Sequence, residues 1–328
     1  GNGIQQSGGT FHANGTVQID TCKTYTSDGK KQGGNGVMIS KGTLNVAGAL
    51  SIENVAVNGI ELSGGEVKVD GSATVRNAAN RGINVGASAK LNGSNIGIYS
   101  CNLGLTNYGA TEIHDLTIAD TVKDHSIMNE GAAASLTIHG AAIGKSSGRN
   151  IALKGGTVNL YGTITINPNG GSNDAFCFYT STTLNIHGNV TVQNVKGDGM
   201  EIYAAATDTA IHVYGSLTVR SVTERGIYQL AGTLTIHENG KLIIDDPTGH
   251  GIESNAKVEL KSGAQLVIDK ANYGIRMNGS GEFVSQTDSS VEINGSGYPV
   301  VAHGNSGITI GKLIVTGTAN SNIYVDTT

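Results

Sequence analysis

The sequence predicts an all-β chain wound into stacked coils, about 13–14 of them, each of about 24 residues and three short strands. Three observations carry this. A short unit recurs from one end of the chain to the other: a turn residue, often glycine, then apolar, variable, apolar. Valine, isoleucine and threonine favour strands, while the 49 glycines and many asparagines favour turns. No stretch has the apolar spacing that an amphipathic helix requires.

The first strand of each coil carries the clearest copy of the unit, as in "NGVMI", "NGIEL", "RGINV", "DGMEI", "HGIES" and "YGIRM". Its first apolar position falls at Ile4, Val37, Ile60, Ile83, Leu105, Ile127, Ile151, Phe176, Met200, Ile227, Ile252, Ile275, Val300 and Ile323. Only the first interval is long, and the hydrophilic insert at 20–34 accounts for it. Two further strands follow in each unit, as when "RNIALK" leads to "GGTVNLYG" and then "TITINPNG". Alternation in each strand sends two apolar residues inward and their neighbours outward. Coils of this length pair each strand with its counterpart one repeat away. Asn107 and Asn129 fall on the inward side of adjacent coils, where an asparagine pair must hydrogen-bond along the stack.

This pattern resembles the right-handed parallel β-helix of the pectate-lyase-like superfamily, over essentially the whole chain. It is most similar to the β-helix regions of adhesin-like surface proteins. The resemblance implies a single β-helix domain over 1–328 with a surface loop at 20–34. It leaves function open, because the scaffold hosts lyases, hydrolases, phage tailspikes and adhesins. Neither end carries a cap helix, and the chain opens without methionine. The expectation is a segment of a longer protein whose ends are covered by flanking domains or neighbours.

Composition narrows the partners. With 21 basic and 26 acidic residues the net charge is −5, and no basic stripe appears. Nucleic acid is therefore not an expected partner. No apolar run is long enough to cross a bilayer, so this segment is not expected to insert into a membrane. Cys22, Cys101 and Cys177 are odd in number, widely spaced and free of a CxxC pairing, which predicts burial as small apolar residues. The expected location is extracellular or at the cell surface, and the expected partner a glycan or a host or cell-surface protein.

The string "SLTIHG" (135–140) returns as "TLNIHG" (183–188) and, loosened, as "TLTIHENG" (233–240). Aligning the coils puts His114, His139, Tyr161, His187, Tyr214 and His237 at one outward position, rungs spaced about 4.8 Å apart. Ring stacking, about 0.5–1.5 kcal/mol per pair, is a sufficient reason for such a ladder. Zinc needs three or four ligands. Only His114 and His139 are neighbouring histidines, with Glu112 and His212 elsewhere along their strands, so no metal is expected there.

The most varied surface lies on four consecutive first strands between 198 and 277, with Asp174 one coil earlier. The outward column reads Glu201, Tyr228, Glu253, Arg276; the corner column reads Asp198, Arg225, His250, Tyr273. Such a mixture could bind an oligosaccharide or run carboxylate chemistry. Asp174 and Asp198 should stand about 5 Å apart, and Glu201 and Glu253 about 9.6 Å, given the coil spacing. These separations overlap the roughly 5–5.5 Å and 6.5–9.5 Å of retaining and inverting glycosidases. "GHGIES" (249–254) resembles the GHG signature of polygalacturonases, which would make His250 the histidine of a catalytic groove. The other signatures depart: "SND" at 172–174 matches only in part, Asp245–Asp246 shares a coil with His250, and "GIRMN" lacks the expected lysine. Calcium needs six to eight oxygens, more than Asp174, Asp198 and Glu201 supply without backbone help. Calcium at an acidic corner is the one cofactor with any place here.

The sequence thus predicts a non-enzymatic secreted or cell-surface adhesin or stalk, binding through Asp198, Glu201, Arg225, Tyr228, His250, Glu253, Tyr273 and Arg276. The alternatives are a polysaccharide hydrolase or lyase using Asp174, Asp198, Glu201, His250 and Glu253, and a tailspike-like receptor-binding protein. Catalytic β-helices usually carry long loops that wall a cleft, and here only the 20–34 insert is long.

Overall fold

A computed structural model describes residues 1–121, 123–169, 173–317 and 323–326. It comprises two compact units, Gly1–Val158 and Asn159–Thr328. Both are parallel β-solenoid. The chain makes about 12 turns with coils about 24 residues apart, and no helix occurs among the described residues. Of the fourteen starts of the repeat counted in the sequence, the last, at Ile323, contributes the strand Ile323–Asp326 among the described residues.

In the first unit the repeat positions stack as the periodicity requires: Ile4 pairs with Val37, Val37 with Ile60, Ile60 with Ile83, Ile83 with Leu105, Leu105 with Ile127, and Ile127 with Ile151. The separation into three strands is less complete here than the sequence suggests. Gly65–Arg76, Ala89–Tyr99 and Ala110–Ala119 each run the second and third strands together. Their bend holds only one or two residues, too few to interrupt the pairing of neighbouring coils. The insert also differs from the expected loop. Thr24–Ser27 and Lys30–Gly33 form an antiparallel hairpin, turned at Asp28–Gly29 with φ of 50° and 72°. Two positive φ values in a two-residue turn are what Asp-Gly favours.

In the second unit Phe176 pairs with Met200, Met200 with Ile227, Ile227 with Ile252, Ile252 with Ile275, Ile275 with Val300, and Val300 with Ile323. Here the three strands stay distinct, as in Phe176–Phe178, Thr183–Ile186 and Asn189–Val195. Phe176, Phe178 and Phe283 are fully buried and are the largest core side chains. Each such burial contributes about 1.5–3 kcal/mol before ordering costs are subtracted.

Two corner devices explain the repeat. At the end of the third strand one residue takes left-handed backbone. In the first unit Asn54, Asn77, Ser100 and Asp120 lie just after it; in the second, Asn194 and Ser221 lie one residue before its end and Asp246 and Lys270 just after it. Asparagine and aspartate tolerate that region better than other non-glycine residues. The glycine before the first apolar position answers a close approach instead. A Cβ on Gly251 would stand 2.6 Å from Ile268 Cγ2 and 2.6 Å from the Gly274 carbonyl oxygen. Gly36, Gly59, Gly82, Gly199, Gly226 and Gly274 face a third-strand isoleucine or valine in the same way.

The interior is mainly apolar, with Ser254 Oγ donating to Gln229 Oε1 at 3.2 Å in the second unit and an asparagine pair in the first. Asn107 Nδ2 donates to Asn129 Oδ1 at 2.7 Å, and Asn129 Nδ2 donates to the Gly155 carbonyl at 2.7 Å. Both side chains are fully buried, so the expected internal asparagine pair is present. Cys22, Cys101 and Cys177 are buried and form no disulfide, also as expected.

Candidate functional site

The ring ladder is built by register. In the first unit His114 and His139 stack with centroids 4.6 Å apart and planes 16° from parallel. In the second unit Tyr161 stacks on His187 (4.6 Å, 8°), His187 on Tyr214 (4.9 Å, 4°), and Tyr214 on His237 (4.1 Å, 17°). These separations match the spacing of hydrogen-bonded strands, so stacking follows from placing a ring at the same position in successive coils. His212, two residues before Tyr214, joins from the side: its Nδ1 lies 3.0 Å from His237 Nε2.

Burial lowers the pKa of both His212 and His237, and for His237 the neighbouring His212 adds to the effect. His250 is lowered too, first by burial. A group whose folded pKa lies below its unfolded value leaves the unfolded chain as the better proton acceptor when pH falls. The stability held by these neutral imidazoles is complete above the ordinary histidine value of 6.5. It is lost as pH falls from there through the depressed folded-state values. Thermal melts between pH 7.5 and pH 5.5 are therefore expected to show a falling midpoint. The slope should be shallower in a His212→Gln, His237→Gln variant; an unchanged slope would remove these histidines as its source.

The predicted patch in the second unit assembles as the register requires. Glu201 pairs with Tyr228, Tyr228 with Glu253, and Glu253 with Arg276 on the outward column, while His250 pairs with Tyr273 at the corner. Arg225 is its hub. Its Nε is 2.9 Å from Asp198 Oδ1, its Nη2 3.0 Å from Asp198 Oδ2, and its Nη1 3.4 Å from Glu253 Oε2. The guanidinium carbon sits 3.6 Å from the Tyr228 ring centroid, a cation–π contact. Glu253 Oε1 accepts from Asn278 Nδ2 at 3.1 Å and lies 3.6 Å from Arg276 Nη1. Arg276 Nη1 is also 3.3 Å from His250 Nε2, and the His250 ring meets Tyr273 edge-on at 4.6 Å.

Burial pushes the Asp198 carboxyl above its ordinary value, against the pull of Arg225. Burial likewise pulls the Arg225 guanidinium down, but Asp198 and Glu253 outweigh it and the net direction is up. The pair is ionic and bidentate, the strongest form of this contact.

The two corner aspartates also have a structural task that the sequence did not reveal. Asp174 Oδ1 accepts the Asp198 backbone N–H at 3.1 Å, and Asp198 Oδ1 accepts the Arg225 N–H at 2.8 Å. In the first unit asparagines do the same: Asn2, Asn35 and Asn58 accept the amides of Asn35, Asn58 and Arg81 at 3.0–3.1 Å. Asp174 and Asp198 thus occupy an amide-accepting slot at the coil corner. Ser172, part of the "SND" string, lies outside the described residues.

Asp174 is grouped instead with Cys177 and Glu201, their donor atoms within 4.8 Å of one another and Cys177 Sγ 3.8 Å from Glu201 Oε2. A thiol is not a calcium ligand. Asp198, committed to Arg225, does not join this group.

One concavity was missed. In the first unit a cavity of about 210 Å³ is lined by Arg81, Leu103, Thr106, Asp124, His125, Met128 and Lys154. Arg81 Nε donates to Thr106 Oγ1 at 3.2 Å, and His125 Nδ1 is 3.1 Å from Asp124 Oδ1. Arg81 and His125 occupy the corner position that Arg225 and His250 hold in the second unit. Following that column back to "RGINV" and "HSIMN" would have found it.

No protein-family model matches the chain, and no curated protein or solved structure matches it either, so what it can be assigned to is a fold, the parallel β-solenoid.

Proposed function

We propose that the chain is a non-enzymatic binding module of a secreted or cell-surface protein, similar in role to adhesin β-helix regions. The single observation that carries this reading is the Asp198–Arg225–Glu253–Arg276 network with Tyr228 and Tyr273 beside it. Every carboxylate of that network is already engaged by a guanidinium, an amide or a backbone N–H. A general acid or base needs access to a substrate proton, and such engagement opposes it. Arginine and tyrosine on an open face are, by contrast, residue types that dominate recognition surfaces.

The partner class is a glycan or a protein of a cell surface, met by the outward column of the first strands. Arg225 is taken up by Asp198, Glu224 and Glu253, so the donors suited to sugar hydroxyls or to carboxylates are those of Arg276, which contacts Glu253 and His250 through Nη1.

The test compares catalysis and binding on one protein. A polysaccharide panel assayed for new reducing ends and unsaturated products should show no turnover. A glycan array and cell-surface protein pull-down should show binding, weakened at least fivefold by Tyr228→Ala. Turnover abolished by Glu201→Gln or Glu253→Gln would replace this reading with a polysaccharide hydrolase or lyase. Neither turnover nor binding would leave a purely structural stalk.

A further inference from the structure

Glu112, His114 and His139 are brought together by the register of the first unit. Ala110–Ala119 pairs in parallel with Ser135–Ile143, Ile113 opposite Ile138. His114 and His139, one residue further on, therefore stand on adjacent rungs and stack at 4.6 Å. Glu112 precedes His114 by two residues and so shares its outer face. Its Oε1 reaches across the rung to within 3.1 Å of His139 Nε2. The donor atoms of all three lie within 4.8 Å of one another.

We infer that these three residues form a binding site for a divalent transition ion of the zinc class. Two imidazole nitrogens and one carboxylate oxygen are a ligand set that zinc accepts, with water completing the shell. At bond lengths of about 2.0–2.1 Å, two ligands of a tetrahedral ion stand about 3.3 Å apart. The 3.1 Å between Glu112 and His139 is already that edge, so two of the three ligands are placed. His114, its donor within 4.8 Å of the other two, has to turn out of its stack on His139 to complete the set. Glu112 and His114 are exposed and the His139 side chain is one-third exposed, so no packed core opposes the movement.

A second feature points to a ligand at the same place. A polar cavity of about 180 Å³ shares Glu112 and His114 with the triplet and is otherwise lined chiefly by Asp70, Asn92 and Ser94. It supplies room for the water or anionic ligand that would complete the coordination. The sequence offers Glu112 as a supplement to the two histidines, and the structure brings its carboxylate to His139.

The ion would be bound by imidazole and carboxylate, which excludes calcium as the preferred guest, since calcium takes six to eight oxygens. The histidine pair of the second unit, His212 and His237, serves as the internal control, because no carboxylate forms a comparable triplet with it among the described residues.

The experiment is calorimetric titration of EDTA-treated protein with Zn²⁺ and, separately, with Ca²⁺. One Zn²⁺ per chain is expected at micromolar Kd, with no calcium heat. Glu112→Gln and His139→Ala should each weaken zinc at least tenfold, while His237→Ala leaves it unchanged; circular dichroism and thermal melts of the metal-free variants establish that they fold. Glu112→Gln alters only an exposed carboxylate, so it keeps the test decisive if His139→Ala fails to fold. Absence of zinc binding, binding indifferent to Glu112→Gln, or binding lost equally in His237→Ala would overturn the assignment.

Discussion

Arg225→Ala is expected to lower the unfolding free energy by about 3–5 kcal/mol, because it strands the Asp198 carboxylate in the interior without its partner. The Asp198 side chain is 2% exposed with Arg225 upon it, so the substitution removes the charged partner of a buried carboxylate. The same substitution frees Glu253 on one side, but Arg276 and Asn278 remain with it. Adding Asp198→Asn to Arg225→Ala should restore most of the loss. Asn35 and Asn58 already show that an asparagine fits this corner slot and accepts the amide of the next coil. Urea denaturation of the two single variants and the double variant measures the coupling directly. If the double variant is as unstable as Arg225→Ala alone, a buried unpaired charge is not the cause. In that case the cation–π contact with Tyr228 or the packing of the arginine stem would have to carry the effect.

Gly251→Val is expected to destabilise by about 3 kcal/mol or more, the upper range for overpacking a well-filled site. The added carbon would have to displace either the Gly274 carbonyl oxygen or Ile268. The first belongs to the backbone of the adjoining coil and the second to the fully buried core. His250→Asn, one residue away, should cost less than 1 kcal/mol, since "NGV" and "NGI" occupy the equivalent place at 35–37 and 58–60. This contrast bears on function. In "GHGIES" the second glycine is required by coil packing, and the same requirement produces NGI, RGI and YGI elsewhere. The second glycine of the likeness to a polygalacturonase signature therefore has a packing reason. Thermal melts of the two variants test it, and equal midpoints would show that the corner has room.

Period and alternation were enough to place every first-strand position in both units, from Ile4 on Val37 to Val300 on Ile323. Parallel coils convert a repeat in sequence into a stack in space, and the buried face admits only one register. The same logic placed the rings at one outward position, aligned Glu201, Tyr228, Glu253 and Arg276, and put Asn107 against Asn129. It could not show that Gly65–Arg76 and its neighbours run through their bend, or that residues 24–33 close into a hairpin, because these depend on local turn geometry. Nor could it reveal what each polar side chain touches. Asp198 reads as one acid of a mixed patch, and only the structure joins it to Arg225 and to a backbone amide of the next coil. Glu112 reads as a possible supplement elsewhere along the strand of His114, and only the structure shows its carboxylate reaching His139. The pattern of apolar residues determines which positions share a face. Rotamers and the spacing between coils determine which donors and acceptors on that face meet, and only the tertiary structure contains them.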